Sequence, residues 1–102
     1  MNKIALLNDA FRTSLTGGTV LLTAGVYQLP DMVKSAAIRK VVDFDDFNED
    51  NDPYGEHDFG SFELCNRRFF WKIDLYEEPG VKSKNGEPVV NRVLTIMLAN
   101  EY

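Results

Sequence analysis

The sequence predicts an α+β domain with two helices packed on one face of a small, mostly antiparallel four-stranded sheet. Two stretches carry apolar residues at three- and four-residue spacing, four more are rich in β-branched and aromatic residues, and turn signals lie between them. At 102 residues, with 44% hydrophobic and 12% aromatic content, the chain has length for one core and too much apolar content for disorder. Residues 1–102 therefore read as a single domain.

Ile4, Leu7, Phe11 and Leu15 form one stripe of an amphipathic helix that should end before Gly17-Gly18. Thr19 to Thr23 is aliphatic and β-branched between glycines and reads as a strand, with Gly25 to Gln28 as an extension after a bend. Pro30 suits a first helical position and Asp31 adds a carboxylate to the first turn. Val33, Ala37, Val41 and Phe44 keep the helical period, so a second helix is expected from about Pro30 to Val42.

Three more strands follow, Phe59 to Cys65, Arg68 to Tyr76 and Asn91 to Leu98, separated by Asn66 and by the turn-prone pairs Pro79-Gly80 and Asn85-Gly86. Phe69, Trp71, Ile73 and Leu75 alternate with Phe70, Lys72, Asp74 and Tyr76, giving the middle strand one wholly apolar face. The expected arrangement is an antiparallel meander with Trp71 and Ile73 turned toward the helices.

Net charge is −5, and half of the sixteen acids fall between Asp43 and Asp58, where there is no Lys or Arg. They are Asp43, Asp45, Asp46, Glu49, Asp50, Asp52, Glu56 and Asp58. Pro53 and Gly55 forbid a continuous helix there, so the segment is expected to be a loop. Such a loop repels nucleic acid and attracts basic surfaces within the Debye length. Cys65 is the one cysteine, which excludes an internal disulfide or a multi-cysteine zinc site and points to a reducing, cytoplasmic setting. No apolar run approaches the ~20 residues that span a bilayer, and Met1 to Leu7 lacks a signal-peptide core. Neither export nor membrane contact is expected.

Asp50, Asp52, Glu56, His57 and Asp58 are the residues best suited to chemistry, since packed carboxylates and an imidazole can hold a divalent cation or relay a proton. A calcium loop of the EF-hand type fails in both alignments. Starting at Asn48, the glycine position is Pro53 and the closing glutamate is Phe59; starting at Asp50, the fifth ligand is Tyr54 and the last is Ser61. A transition-metal site wants a second His or Cys, and His57 is the one histidine. The same string also reads as turn architecture. Asn51, Asp52 and Asp58 can accept backbone hydrogen bonds, Gly55 can take a positive φ, and His57 can bond a neighbouring carboxylate. A third reading is recognition of a basic partner.

Elsewhere, Trp71 reads as core, and Cys65 beside Arg67 and Arg68 lacks a base and reads as structural. Gly17-Gly18 and Gly60 match no phosphate-binding loop, and no cofactor is expected.

Several of these stretches also resemble a known family. They are Leu7-Asn-Asp-Ala-Phe-Arg12, Thr16-Gly-Gly-Thr-Val-Leu-Leu-Thr-Ala-Gly-Val26, the string from Phe44 through Asn51-Asp-Pro-Tyr-Gly-Glu-His-Asp-Phe-Gly60, Phe69-Phe-Trp-Lys-Ile-Asp74, and Arg92 to Tyr102. Together they are similar to a bacterial family known as domain of unknown function 3768, across nearly the whole chain. The resemblance implies no activity. Glu78 to Val90 departs from the family pattern, with Gly80-Val-Lys-Ser-Lys-Asn-Gly86 where an Asp- and Pro-rich connection is expected. Such proteins look like cargo of plasmids and phages, a setting in which interference with host defences is a role to expect.

The preferred expectation is a non-catalytic acidic binding protein. It would be an inhibitor of a nucleic-acid-processing defence complex, of the anti-CRISPR or anti-restriction type. Its contact residues would be Asp43, Asp45, Asp46, Glu49, Asp50, Asp52, Tyr54, Glu56, His57 and Asp58 against a basic protein surface, with no direct nucleic-acid contact. The alternative is a small metal-binding protein or hydrolase using the cluster at 50–58. Literal DNA mimicry needs a folded loop, because eight charges on sixteen extended residues give one per roughly 6–7 Å against one phosphate per ~3.4 Å of strand.

Overall fold

β4, the last strand in sequence, lies inside the sheet, whose order is β1-β4-β3-β2. The computed structural model describes residues 2–102. Its elements are α1 (Lys3–Ser14), β1 (Thr19–Leu22), α2 (Ala24–Tyr27), α3 (Asp31–Val42), β2 (Phe59–Leu64), β3 (Arg67–Lys82), β4 (Pro88–Leu98) and a 3-10 turn, η1 (Ala99–Glu101). β2, β3 and β4 form the expected antiparallel meander. β1 corrects the expectation for the sheet: it runs parallel to β4, with Leu22 opposite Ile96, so the sheet is mixed. A parallel pair needs a long crossover, and everything from α2 to β3 supplies it.

Strand alternation sets the core. Phe69, Trp71 and Ile73 of β3 and Leu94 and Ile96 of β4 are buried, and they cluster with Phe62 of β2, Phe11 of α1, Val26 of α2 and Ala37 and Val41 of α3. Trp71 is fully buried, as its strand position predicts. It fits because Gly60, its cross-strand partner, has no side chain: a Cβ there would lie 2.3 Å from Trp71 Nε1. Among the described residues no helix is long and apolar enough to cross a membrane.

Four other expectations need correction. α1 turns Ala5, Asn8, Phe11 and Arg12 inward and leaves Ile4 and Leu7 exposed, for a reason given below. Gly25 to Gln28 is not a strand extension: residues 24–27 form the short helix α2. Pro79-Gly80 is not a turn. It lies in a β3–β4 ribbon with a register shift between Glu77 and Lys82, and the reversal comes at Ser83–Glu87, where the Ser83 N–H donates to the Glu87 carbonyl. Cys65 does not end its strand, which stops at Leu64. It is exposed with φ 52° in the two-residue β2–β3 turn, followed by Asn66 at φ 60°, the pair of positive values a type I′ hairpin demands.

The end of the described chain is tied to α2 through one carboxylate. Glu101 accepts from the Thr23 hydroxyl at 2.6 Å, from the Leu98 N–H at 2.9 Å and from the Gly25 N–H at 2.9 Å. The Thr23 hydroxyl foremost, then the Leu98 N–H, holds its pKa below the ordinary carboxylate value. A carboxyl group whose folded pKa is depressed stabilises the fold above its unfolded pKa and loses that contribution as pH falls through the folded value. Glu101→Gln should therefore lower the melting temperature at neutral pH and flatten the acid limb of a stability–pH profile. An acid limb identical to that of the parent protein would show that this carboxylate contributes nothing.

Candidate functional site

The acidic segment divides into two parts with different roles. Asn51 to Asp58 is anchored on the polar face of α1. Asn2, the α1 N-cap, accepts the Ala5 N–H at 2.7 Å through Oδ1 and donates through Nδ2 to the Gly55 carbonyl at 2.9 Å. Two turns later Asn8, almost fully buried, donates to the Glu56 carbonyl at 3.0 Å and accepts from Arg92 Nε of β4 at 3.0 Å. The inward stripe of α1 mixes Ala5 and Phe11 with Asn8 and Arg12, and the two polar members meet backbone carbonyls.

Arg12 and His57 complete the anchor. The Arg12 guanidinium donates to the Val41 carbonyl at 2.8 Å and the Val42 carbonyl at 3.2 Å, at the C-terminus of α3, where carbonyls lack helical partners. Its other nitrogen meets Asp9 Oδ1 at 2.9 Å, and the group sits over the rings of Trp71 at 5.3 Å and Phe47 at 5.5 Å. His57 Nδ1 lies 2.9 Å from Asp9 Oδ2, and its ring stacks on Phe47 at 3.9 Å with planes 1° apart. On the other side, His57 Nε2 is 3.6 Å from Asp52 Oδ2, while Asp52 Oδ1 accepts the N–H groups of Glu56 at 3.1 Å and His57 at 3.2 Å. His57 takes a positive φ of 54°, which these contacts maintain.

Asn51 and Asp52 fill the turn roles expected of them, with Asn51 Oδ1 accepting the Asn48 N–H at 2.9 Å, and Gly55 has φ 64°. Asp58 does not. Its backbone carbonyl accepts the Ile73 N–H, and its carboxylate has no hydrogen bond among the described residues. Tyr54 is 82% exposed. The carboxylates of Asp45, Asp46, Glu49 and Asp50 are exposed and make no ion pair among the described residues, whereas Asp43 pairs with Arg39 at 3.2 Å.

The residues missed from sequence are Asn2, Asn8, Asp9 and Arg12. A signal for three of them was present: Ala5, Asn8 and Arg12 repeat at helical spacing, and Asn8, Asp9 and Arg12 lie in one of the strings that carry the family resemblance. An imidazole oriented by a carboxylate is half of a nucleophile-activating pair. The shallow groove of about 450 Å³ beside it is lined by Phe47, Glu49, Tyr54 and their neighbours and contains no serine, threonine, cysteine or lysine. Among the described residues no group of three His, Cys, Asp or Glu side chains is placed to hold a metal ion.

Fold and site together define a small α+β domain whose acidic loop is half anchored on its first helix and half free. Residues 22–101 match the family described as protein of unknown function DUF3768, and the chain belongs to that family. The match takes in the loop and strands β2, β3 and β4, while α1, all of β1 but Leu22, and with them Asn2, Asn8, Asp9 and Arg12, precede it. No curated protein and no solved structure matches the chain.

Proposed function

We propose that this protein is a non-catalytic binding protein that engages a basic protein surface through the free half of its acidic loop. The partner class is a nucleic-acid-processing complex, whose basic surface an anti-defence inhibitor would occupy. One observation supports this reading most: Asp45, Asp46, Glu49 and Asp50 project four exposed carboxylates that the fold does not use, next to a segment whose polar groups it uses heavily. Charge placed this way accelerates encounter and selects partners more than it adds affinity. Asp52 and His57 through their side chains, and Glu56 and Asp58 through their backbone, belong to the anchored half and fix the free half in place.

The test takes a partner captured from bacterial lysate and measures its association with the parent protein and with a variant carrying Asp45→Asn, Asp46→Asn, Glu49→Gln and Asp50→Asn. Association should slow by roughly tenfold or more, and its salt dependence should flatten, with the melting temperature unchanged. An unchanged association rate and salt dependence would remove the acidic loop as the contact surface.

A further inference from the structure

The sheet is open along β2, on the side of the free acidic carboxylates. β2 pairs with β3 alone, from Phe59 opposite Lys72 to Leu64 opposite Arg67. In this register the Ile73 N–H donates to the Asp58 carbonyl at 2.8 Å. An antiparallel ladder alternates residue by residue. Gly60, Phe62 and Leu64 therefore direct their N–H and C=O toward β3, and Phe59, Ser61 and Glu63 direct theirs away from the sheet. Edge strands in native proteins are usually guarded by shortness, proline, charge or a covering element. The opposite edge, β1, is four residues long and runs directly into α2; β2 is six residues long and contains no proline. Its one charged side chain, Glu63, is engaged by Arg68 at 2.8 Å.

A groove of about 560 Å³ lies against this edge, between β2 and the end of α3. Phe44 and Phe62 contribute apolar surface to its lining, and Asp45 and Asp46 contribute free carboxylates. Arg39 and Lys40 line it too, and Arg39 is matched by Asp43 at 3.2 Å, so Lys40 is the remaining cation against two free carboxylates. Unpaired strand backbone, apolar lining and an excess of negative charge together suit an extended chain better than a flat surface. Strand addition takes affinity from main-chain hydrogen bonds and specificity from alternate side-chain pockets. Residues two apart on a strand share a face at a separation of about 6.6 Å.

We infer that the groove along β2 takes an extended segment of a basic partner as a fifth strand, with an apolar side chain on Phe44 and Phe62 and a Lys or Arg two residues away facing Asp45 and Asp46. The inference rests on the binding reading above and specifies its form: the partner presents a pliable strand rather than only a charged surface.

The probe is an acetylated, amidated octapeptide of sequence Thr-Val-Thr-Arg-Thr-Val-Thr-Arg, added to the full chain while amide exchange is followed residue by residue. Exchange at Phe59, Ser61 and Glu63 should slow at least fivefold on saturation. Ser61→Pro removes one outward N–H from an edge position where proline leaves the ladder intact, and should weaken binding at least tenfold. Ser61→Ala removes the hydroxyl alone and should bind within twofold of the parent. If the proline variant does not fold, exchange in the parent protein decides the matter. Binding with no slowing at the three amides, or no binding at millimolar peptide, overturns the inference. Slowing of the same amides with rising protein concentration and no peptide assigns the edge to a second copy of this chain and also overturns it. The charge reading fails separately: if the fourfold neutralised variant binds the peptide with full affinity and the three amides still slow, strand addition stands and the acidic contact does not.

Discussion

Trp71→Ala should destabilise the fold by about 3–5 kcal/mol, measured by denaturant titration followed by far-ultraviolet circular dichroism, since the chain has no other tryptophan to report on folding. Trp71 is fully buried at the centre of the sheet, opposite Gly60 on one side and Ile96 on the other. Phe44 meets its ring edge-on at 5.4 Å, and the Arg12 guanidinium lies over it at 5.3 Å. Alanine would lose the transfer energy of the indole and open a cavity that the sheet cannot close, because Gly60 offers no side chain to move in. The cation–π contact with Arg12 would be lost as well. A loss below about 1 kcal/mol would mean that the surrounding side chains refill the space and that the indole is not the keystone of this core.

Arg12→Met should cost a comparable amount, about 3–5 kcal/mol, for an electrostatic reason. Methionine replaces the apolar stem of arginine but ends short of the guanidinium, so the stem packing is largely retained while the forked donor and its contact with the Trp71 and Phe47 rings are lost. The Val41 and Val42 carbonyls would lose their side-chain donor, and Asp9 would keep His57 as its remaining partner. The Val41 carbonyl would retain the Phe44 N–H at 3.3 Å, and leaving the Val42 carbonyl without its donor costs more than the pair contributes net. Arg12→Lys should recover part of the loss, since one ammonium cannot reach two carbonyls and a carboxylate in the same fork geometry. A double-mutant cycle with Asp9→Asn separates the ion pair from the carbonyl contacts. Equal stabilities for the Arg12→Met variant and the parent would show that water satisfies these groups as well as Arg12 does. Local amide exchange offers a second readout: residues 52–58 should open faster in the variant, because the anchor between the loop and α1 is weakened.

Local pattern was legible and tertiary pattern was not. The alternation from Phe69 to Tyr76 is a property of eight consecutive residues, and it placed Phe69, Trp71 and Ile73 in the core correctly, while Leu75, at the end of the same face, is exposed. The Asn51 to Gly55 turn was equally readable, because Asn, Asp and Gly act on backbone only a few residues away. The first half of α1 was misread because hydrophobic periodicity assumes an apolar surrounding, whereas Phe11 and Leu15 meet the core as read. Ile4 and Leu7 look like the buried stripe, yet the loop and the end of α3 present carbonyls to α1, and Asn8 and Arg12 answer them from 48 and 29 residues away. The parallel pairing of β1 with β4 leaves no local trace, since the same aliphatic run serves a parallel or an antiparallel neighbour. Pro79-Gly80 signalled a turn by composition, but a two-stranded ribbon with a register shift tolerates a residue that cannot donate to a ladder. The candidate site was half visible for the same reason. The acidic run could be counted, while the division into carboxylates that hold the loop and carboxylates that remain free is set by α1.

The interior position of β4 also constrains when this protein can fold. β1 is made early, but its only neighbour in the sheet is supplied by residues 93–96, more than seventy positions later. During synthesis α1, α2 and α3 can emerge and begin to coil while the sheet they pack on does not yet exist. β2 and β3 can close locally as a hairpin through the Cys65-Asn66 turn, and β1 must wait. Closing a loop of this length precedes most of the burial that rewards it, so maturation should be limited by the arrival of the last strand rather than by helix formation. Until then the nascent chain holds the β1 and β3 edges that β4 will fill unpaired in solution, and a chaperone or a neighbouring nascent chain would meet it in that state.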